Sequence, residues 1–284
     1  MALSCRLCSG QDLRPFFSES RGDQVFSSYY CKECDLYQTL GDVPEISPDY
    51  ISLEMADLGP QHIWLQTEHK ITAFKQWLRI VRGHCRGNED RSEKLLDVGC
   101  GVGGFLDFAC RFGFQAYGFD ASHAQVLAAQ ARHPDVRQAT TVGDYVAHVG
   151  SAAQFGYVTL WDVFEHIREP VRTLDGIGSY LEPNGLLFLS VPSGTPNALK
   201  LQFASMIGRS PRLIPWEHVF YYTKRSLRAV LERTGFEVLQ IGAVVPYLRP
   251  ISFHEIVRRS AHYVLGPTPL ALQIFAVARR SVRS

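Results

Sequence analysis

Residues 94–104, KLLDVGCGVGG, constrain the fold of this chain more than any other stretch. The short apolar run reads as a strand, and CGVGG after it is a turn with three glycines in five residues. FLDFACRFG then reads as a helix closed by Gly113. A strand that turns this tightly into a helix belongs to a parallel sheet, whose strands must be joined by crossovers. The rest of the chain keeps the same rhythm. FQAYGFD is a second strand ending in Asp120, and SHAQVLAAQAR a helix with Ser122 as N-cap. VRQATTVGD gives a third strand ending near Asp144, FGYVTLWD a fourth, EPVRTLDGIGSYL its helix, and GLLFLSVP a fifth strand after the turn PNG. A helix over 226–234 and the strands FEVLQIGAVV and LALQIFAVA complete the pattern. The expectation is a doubly wound, seven-stranded, mostly parallel α/β sheet covered on both faces. Ligands of such sheets bind beyond the carboxyl ends of the strands, so the residues just after each strand are the functional candidates.

Ahead of this block the cysteines set the organisation. Four of the seven form two matched pairs, Cys5-x2-Cys8 and Cys31-x2-Cys34, ~22 residues apart. One tight turn presents two sulfurs to a single ion, and two such turns complete the tetrahedral S4 set that Zn2+ accepts in closed structural sites. The segment FSSYY before Cys31 reads as the strand that carries the second turn into place. A segment this short lacks a core, so a metal staple fits it; four free thiols or a redox pair are the alternatives. Cys85, Cys100 and Cys110 have no such partners and read as buried small apolar residues. The divisions expected are a zinc ribbon over 1–44, a connector and amphipathic helix over 45–92, and the α/β domain over 93–284. In the middle segment Trp64, Ile71, Phe74, Leu78 and Val81 recur at helical spacing, with Gly83 as the C-cap.

The glycine turn is most informative about its ligand. Glycines permit positive φ and a close approach to the backbone, but Gly99, Gly101 and Gly103 alone would suit dinucleotide, flavin or adenosyl ligands equally. Asp97 stands two residues before the first glycine and would repel a pyrophosphate, while attracting a ligand that carries an ammonium. Asp120 ends the next strand, where a carboxylate pairs with both hydroxyls of a ribose. An amino acid at one end and a ribose at the other describe S-adenosylmethionine. Turn glycines and helix-capping aspartates explain each residue singly but not their order.

These residues resemble the class I S-adenosylmethionine-dependent methyltransferases, from about Lys94 to the end of the chain. LLDVGCGVGG is similar to the family's first motif, GFDAS to its ribose-binding second, FGYVTLWDVFEHIREP to its fourth-strand motif and LEPNGLLFLSVP to its fifth. The resemblance implies a Rossmann-like fold, with Gly99, Gly101 and Gly103 lining the cofactor, Asp120 on the ribose, and Asp144 and Tyr145 near the adenine. It also implies Trp161 and Asp162 at the methionine end. A CxxC ribbon ahead of such a domain is similar to enzymes that modify sugars, lipids or other small metabolites. The ubiquinone-pathway O-methyltransferases resemble this chain at Asp162-x-x-Glu165-His166, positions that there can hold a divalent cation.

Methyl transfer is an in-line displacement that needs alignment, exclusion of water, and a base when the nucleophile is a hydroxyl. His166, on the cofactor rim beside Glu165, and His218, in IPWEHVFYYT, are the candidate bases. His218 lies in an insertion over about 193–224, where Trp216, Glu217, Tyr221 and Tyr222 give it the character of a substrate cap. A purely structural role, fixing the loop against the cofactor, is the alternative for Glu165 and His166. The remaining histidines stand on polar stretches and read as solvated.

The leading expectation is therefore S-adenosylmethionine-dependent methyl transfer to a small-molecule or glycan-like acceptor, at oxygen. An rRNA methyltransferase using the ribbon on RNA is the alternative within the same chemistry. Against it stand a formal net charge of +1 and a ribbon whose only cations are Arg6, Arg14, Arg21 and Lys32. A third reading is a non-catalytic partner-binding module, which the intact Asp97, glycine turn and Asp120 oppose. No apolar run reaches the ~18 residues of a membrane span, and the first residues lack the basic start and apolar stretch of a signal peptide. Cytoplasmic localisation in a reducing compartment is expected, and the residues carry no signal for an oligomeric state.

Overall fold

The structure, a computed structural model, describes residues 3–21, 23–41, 59–85, 91–150, 153–199, 218–244 and 271–281, with the side chains of the 59–85 segment described from residue 70 onward. Three N-terminal strands, β1 (Leu13–Arg21), β2 (Gln24–Cys31) and β3 (Leu36–Leu40), form an antiparallel meander. A helix, α1 (Gly59–His84), follows. The α/β block then runs β4 (Lys94–Val98), α2 (Gly104–Arg111), β5 (Gln115–Asp120), α3 (His123–Gln130), β6 (Arg137–Gln138), α4 (Val142–Val149) and β7 (Phe155–Trp161). After a single 3-10 turn at Phe164–His166 come α5 (Pro170–Tyr180), β8 (Leu181–Pro192), β9 (Phe220–Tyr222), α6 (Lys224–Arg233), β10 (Phe236–Ala243) and β11 (Gln273–Arg280).

Seven of these strands form one sheet in the order β10-β11-β8-β7-β4-β5-β6. The pairs from β8 across to β6 are parallel, and β11 runs antiparallel to both of its neighbours. This is the Rossmann-like architecture expected, with the order reversing between β4 and β7 so that a crevice opens at their carboxyl ends. Every residue of β7 is buried, as a central strand covered on both faces must be. One face is covered by α1, where Phe74, Trp77, Leu78 and Val81 pack with Phe105, Phe108 and Trp161. Helices α5 and α6 cover the other, burying Leu174, Ile177, Leu227 and Leu231 against β8 and β11.

Several local expectations change. Gly83 lies inside the last turn of α1 and does not cap it. The third strand is only Arg137–Gln138, and Asp144 sits in the first turn of α4. There Thr141 and Asp144 make a reciprocal capping box, a local hydrogen-bonding arrangement that nucleates a helix where the Thr-rich sequence reads as extended. The PNG turn is absorbed into β8, which is irregularly paired between Phe155 and Tyr157 of β7. Cys100 is buried as expected, but Cys85 is half-buried and Cys110 is exposed. His133 is buried rather than solvated, its Nε2 lying 2.8 Å from Asp107 Oδ1 beneath the glycine turn. Trp64, Trp216, Glu217 and most of the 193–224 insertion fall outside the described side chains.

The N-terminal meander is not separate from the rest. β9 pairs antiparallel with β3, in the register Leu36↔Tyr222, Tyr37↔Tyr221, Gln38↔Phe220, to complete a four-stranded sheet. Thr223 Oγ1 donates to the Asp35 carbonyl at 2.9 Å and the Arg225 guanidinium to the Glu33 carbonyl at 3.0 Å. No described helix is long and apolar enough to cross a membrane.

Candidate functional site

The strand-to-helix turn after β4 is held in a single conformation. Gly99, Gly101 and Gly103 all have positive φ, at 70°, 54° and 82°. A Cβ at Gly99 would come within 2.5 Å of Val163 Cγ2, and one at Gly101 within 2.7 Å of Gln125 Oε1. Part of the demand for glycine therefore comes from the protein's own packing. The amides of Gly99 and Cys100 both donate to the Phe119 carbonyl, that of Gly103 donates to the Cys100 carbonyl, and that of Gly101 donates to Asp120 Oδ2. A phosphate-binding turn points such amides at its ligand; here four of them are committed internally.

Two carboxylates flank this turn. Asp97 is buried, and Thr159 Oγ1 donates to its Oδ1 at 2.6 Å. Burial pushes its pKa up to about 7, opposed by the Thr159 bond and the charge of Lys70 and assisted by Asp120. Asp120 closes β5 and accepts N–H bonds from Gly101 and Ser122, both at 2.9 Å, one on each oxygen. Burial raises its pKa, and these bonds oppose the rise. Each oxygen keeps a second lone pair, the capacity that pairing with two hydroxyls needs. Asp144 serves its helix cap, accepting from the Thr141 amide and Thr140 Oγ1; the side chains of Thr141 and Thr140 hold its carboxyl below the usual range. The Tyr145 side chain is fully buried against Phe119 and donates its hydroxyl to the Asp135 carbonyl.

The far rim is built by the end of β7. Trp161 packs edge-on against Phe74 at 5.0 Å, with its indole N–H buried and without a partner among the described residues. Asp162 has φ 56°, an unusual conformation for a residue with a side chain. Its Oδ2 meets Lys70 Nζ at 2.7 Å, and its Oδ1 accepts from Ser190 Oγ at 3.4 Å and from the Gln273 amide. Lys70 arrives from α1, and no motif in the sequence marks it.

Beyond Asp162 the 3-10 turn carries two of the catalytic candidates, Glu165 and His166. Glu165 is 1% exposed and its Oε2 has no partner among the described residues. Burial, then the charge of Asp162, hold its carboxyl well above the ordinary range. The His166 side chain is 31% exposed, with Nε2 lying 3.9 Å from Glu165 Oε1. The His218 ring meets His166 edge-on at 4.8 Å between centroids, and Tyr221 at 5.6 Å. Burial and the His166 charge press His218 down to about 4, leaving it neutral near pH 7. The fold thus brings together all three catalytic candidates, drawn from two distant segments. Ligating atoms of Glu165, His166 and His218 lie within 4.8 Å of one another, whereas Asp162 is turned to Lys70.

The four ribbon cysteines also converge. Sγ separations are 3.5 Å for Cys5–Cys34, 3.5 Å for Cys8–Cys31 and 3.8 Å for Cys8–Cys34. Tetrahedral S4 coordination at ~2.3 Å sets sulfurs about 3.8 Å apart, so the cluster fits a zinc ion. The bond to Cys34 holds the Cys5 thiol down at about 4, while burial pushes Cys8 up to about 12, the uneven charge sharing of thiols crowded together. Tyr222 of β9 lies between the cluster and Glu165, within electrostatic reach of Cys5, Cys34 and Glu165, and stacks on Phe164 at 5.1 Å.

With a Rossmann-like crevice, an acid on each side of a glycine turn and histidines on its rim, the chain belongs to the methyltransferase domain family, whose model matches residues 63–241. Among curated proteins it is similar to the ubiquinone biosynthesis O-methyltransferase of Xanthomonas campestris pv. campestris, 33% identical over 156 residues, or 52% of this chain and 63% of that protein. The Actinobacillus pleuropneumoniae protein of the same name is 30% identical over 118 residues, or 38% of this chain and 50% of the relative. The chain therefore spans between half and two thirds of the length of these relatives. Among solved structures, the plantazolicin methyltransferase BpumL in complex with a triazolic desmethylPZN analog and SAH has a TM-score of 0.51 at 13% identity, covering 83% of this chain and 94% of that one. That likeness shows the fold.

Proposed function

We propose that this protein transfers a methyl group from S-adenosylmethionine to an oxygen of a small-molecule or glycan-like acceptor, with a structural zinc in the ribbon. The observation that carries the reading is the acid–glycine–acid arrangement. Asp97 and Asp120 flank a turn whose amides are internally bonded, which favours a ligand with an ammonium and a ribose over one with a pyrophosphate. In this reading Asp97 faces the ammonium, Asp120 the ribose hydroxyls, and Gly99, Gly101 and Gly103 the length of the ligand between them. Trp161 and Asp162 border its amino-acid end, and Asp144 with Tyr145 stands nearest the adenine. Bound there, the cofactor would supply an electrophilic methyl on a cationic sulfur. The ribbon's thiols, free of disulfides, agree with a cytoplasmic, reducing setting, and the segments 1–44, 45–92 and 93–284 are read as ribbon, connecting helix and catalytic domain.

The residues of the chain then have distinct tasks. His166, the more exposed imidazole, takes the proton from the acceptor hydroxyl. His218, neutral and half-buried, holds the ring of His166 in place and is too weak a base to compete for that proton. Glu165, whose carboxyl burial holds well above the ordinary range, backs the imidazole of His166 from 3.9 Å. Calorimetric titration with S-adenosylhomocysteine tests the cofactor reading. Micromolar binding that weakens about tenfold or more in Asp120→Asn is expected, and no binding by the intact chain at high micromolar ligand refutes it.

A second reading rests on the convergence of Glu165, His166 and His218. Two imidazoles and a carboxylate suit a divalent cation, which would lower the pKa of an acceptor hydroxyl in place of a base. Turnover that is lost on dialysis against chelator and restored by Mg2+ or Mn2+, with ribbon zinc retained, favours this version.

A further inference from the structure

The strands hold the amide side of the glycine turn, through the Phe119 carbonyl and Asp120. Its carbonyl side is held by residues that the proposed reaction does not use. Arg132 Nη2 donates to the Val102 carbonyl at 2.7 Å, and Nε of the same guanidinium lies 3.2 and 3.1 Å from the two oxygens of Asp107. His133 Nε2 completes the group, 2.8 Å from Asp107 Oδ1. Asp107 stands in the first turn of α2, the helix that the glycine turn opens, and its amide donates to the Gly103 carbonyl at 2.9 Å. The positive end of that helix suits a carboxylate there.

Helix α3 runs along the turn as a strut. It starts at Asp120, whose Oδ1 accepts from the amide of its N-cap Ser122. Gln125, Ala129 and His133 then follow at spacings of four, which sets them on one helical face. The face carries on past the end of α3 because the His133 amide donates to the Ala129 carbonyl at 2.9 Å. A Cβ at Gly101 would meet Gln125 Oε1 at 2.7 Å, and one at Gly103 would meet His133 Cδ2 at 3.0 Å and Ala129 Cβ at 3.5 Å. The buried ring of His133 thus lies against the backbone of the turn, and Arg132 grips the next carbonyl along it. Three glycines with positive φ give such a turn unusual backbone freedom to lose. A ligand that had to order it would bind more weakly by that cost, which a brace made in advance removes.

We infer that Arg132 and His133, gathered by Asp107, are positioning residues that order the glycine turn in the free protein and so set the affinity for the cofactor. They act through the backbone of Val102 and Gly103 and not on the reacting atoms. Because α3 starts at Asp120 and leads into this brace, the acid and the turn are fixed to each other by one helix. The pair of Arg132 with Asp107 is partly exposed, with 48% and 33% of the two side chains accessible, so it adds little to overall stability and its loss leaves the sheet intact. The inference rests on the methyl-transfer reading for the identity of the ligand, but the ordering of the turn does not require that reading.

The test uses the full chain, with S-adenosylhomocysteine as probe in calorimetry and amide hydrogen exchange in the free protein. Arg132→Gln and Asp107→Asn are each expected to weaken S-adenosylhomocysteine binding about tenfold. Each should also speed exchange over 99–104 about tenfold without ligand, with urea midpoints close to that of wild type. The double variant should lose no more than the weaker-binding single variant, because the two changes remove one brace. Saturating S-adenosylhomocysteine should return exchange over the turn to the wild-type rate. Wild-type affinity, or wild-type exchange over the turn, in both single variants overturns the inference. So does a loss of affinity that comes with faster exchange throughout β4, β5 and β7 and a lower urea midpoint, the mark of a general loss of stability. If the intact chain binds no S-adenosylhomocysteine, the methyl-transfer reading falls, and exchange over 99–104 in the two variants still upholds or overturns the brace.

Discussion

Asp97→Asn should make the cofactor-free protein more stable at alkaline pH while crippling cofactor binding. The Asp97 carboxyl is buried and its pKa rises from 3.8 to about 7 in the folded chain. Between those values the folded state holds a proton that the unfolded state has lost, so stability falls as pH rises. The contribution is fully present below pH ~4 and gone above ~7. A rise of roughly 3 pKa units at ~1.4 kcal/mol each makes the ionised side chain cost ~4 kcal/mol at pH 8.5. Asparagine has the same shape and can still accept the Thr159 hydroxyl bond, so it removes the charge without opening a cavity. Urea unfolding of both proteins without ligand should give a difference near zero at pH 4 that grows to a few kcal/mol in favour of the variant at pH 8.5. The same charge is what a bound ammonium would use, so S-adenosylhomocysteine affinity of the wild type should rise through pH 7 and that of the variant should stay low and flat. A variant no more stable than wild type at pH 8.5, or one that binds the ligand as tightly, would refute the assignment of Asp97.

Gly99→Ala should cost about 2–3 kcal/mol, because φ is 70° and the new Cβ meets Val163; adding Val163→Ala should recover the steric part and leave the backbone part, as read by urea midpoints. His166→Ala should lower turnover about 100-fold or more with S-adenosylhomocysteine affinity within about twofold of wild type. His218→Ala should lower turnover less and keep the acidic limb of the pH–rate profile, because His218 is already neutral there. Removing zinc with a chelator should speed amide exchange over 218–223 about tenfold or more while the cofactor still binds; unchanged exchange would show that β9 stands without the metal.

The central strands were legible because each is a run of apolar residues bounded by turn formers, and the acids at their ends followed from the same pattern. Ser122 was legible as a cap for a local reason, its hydroxyl serving the Gln125 amide three residues on. Asp144 reads from the sequence as the end of a strand because its helix owes its start to a capping box rather than to an apolar period. Glu165, His166 and His218 could be named singly, but their meeting depends on β9 reaching β3, a pairing of three residues that no local signal encodes. Lys70 was invisible for a similar reason: an ordinary lysine on an amphipathic helix gains meaning only when that helix packs over the end of β7.

The cysteine ribbon and the proposed acceptor side share one core, and this decides how the two ends of the proposed reaction depend on the protein. Cys5, Cys31, Cys34 and Leu36 belong to the same buried cluster as Phe164, Phe220 and Tyr222. Phe164 opens the turn that carries Glu165 and His166, and Phe220 and Tyr222 belong to the strand that starts just after His218. A ribbon with too few apolar residues to fold by burial would thus acquire its order from the metal, and pass that order to both histidines through one stacked pair, Phe164 on Tyr222. Asp97, the glycine turn and Asp120 draw theirs from β4, β5 and β7 instead. The two halves can therefore fail separately. Damage to the ribbon should spoil proton removal and acceptor binding while sparing the nucleoside pocket, and damage to the glycine turn should do the reverse.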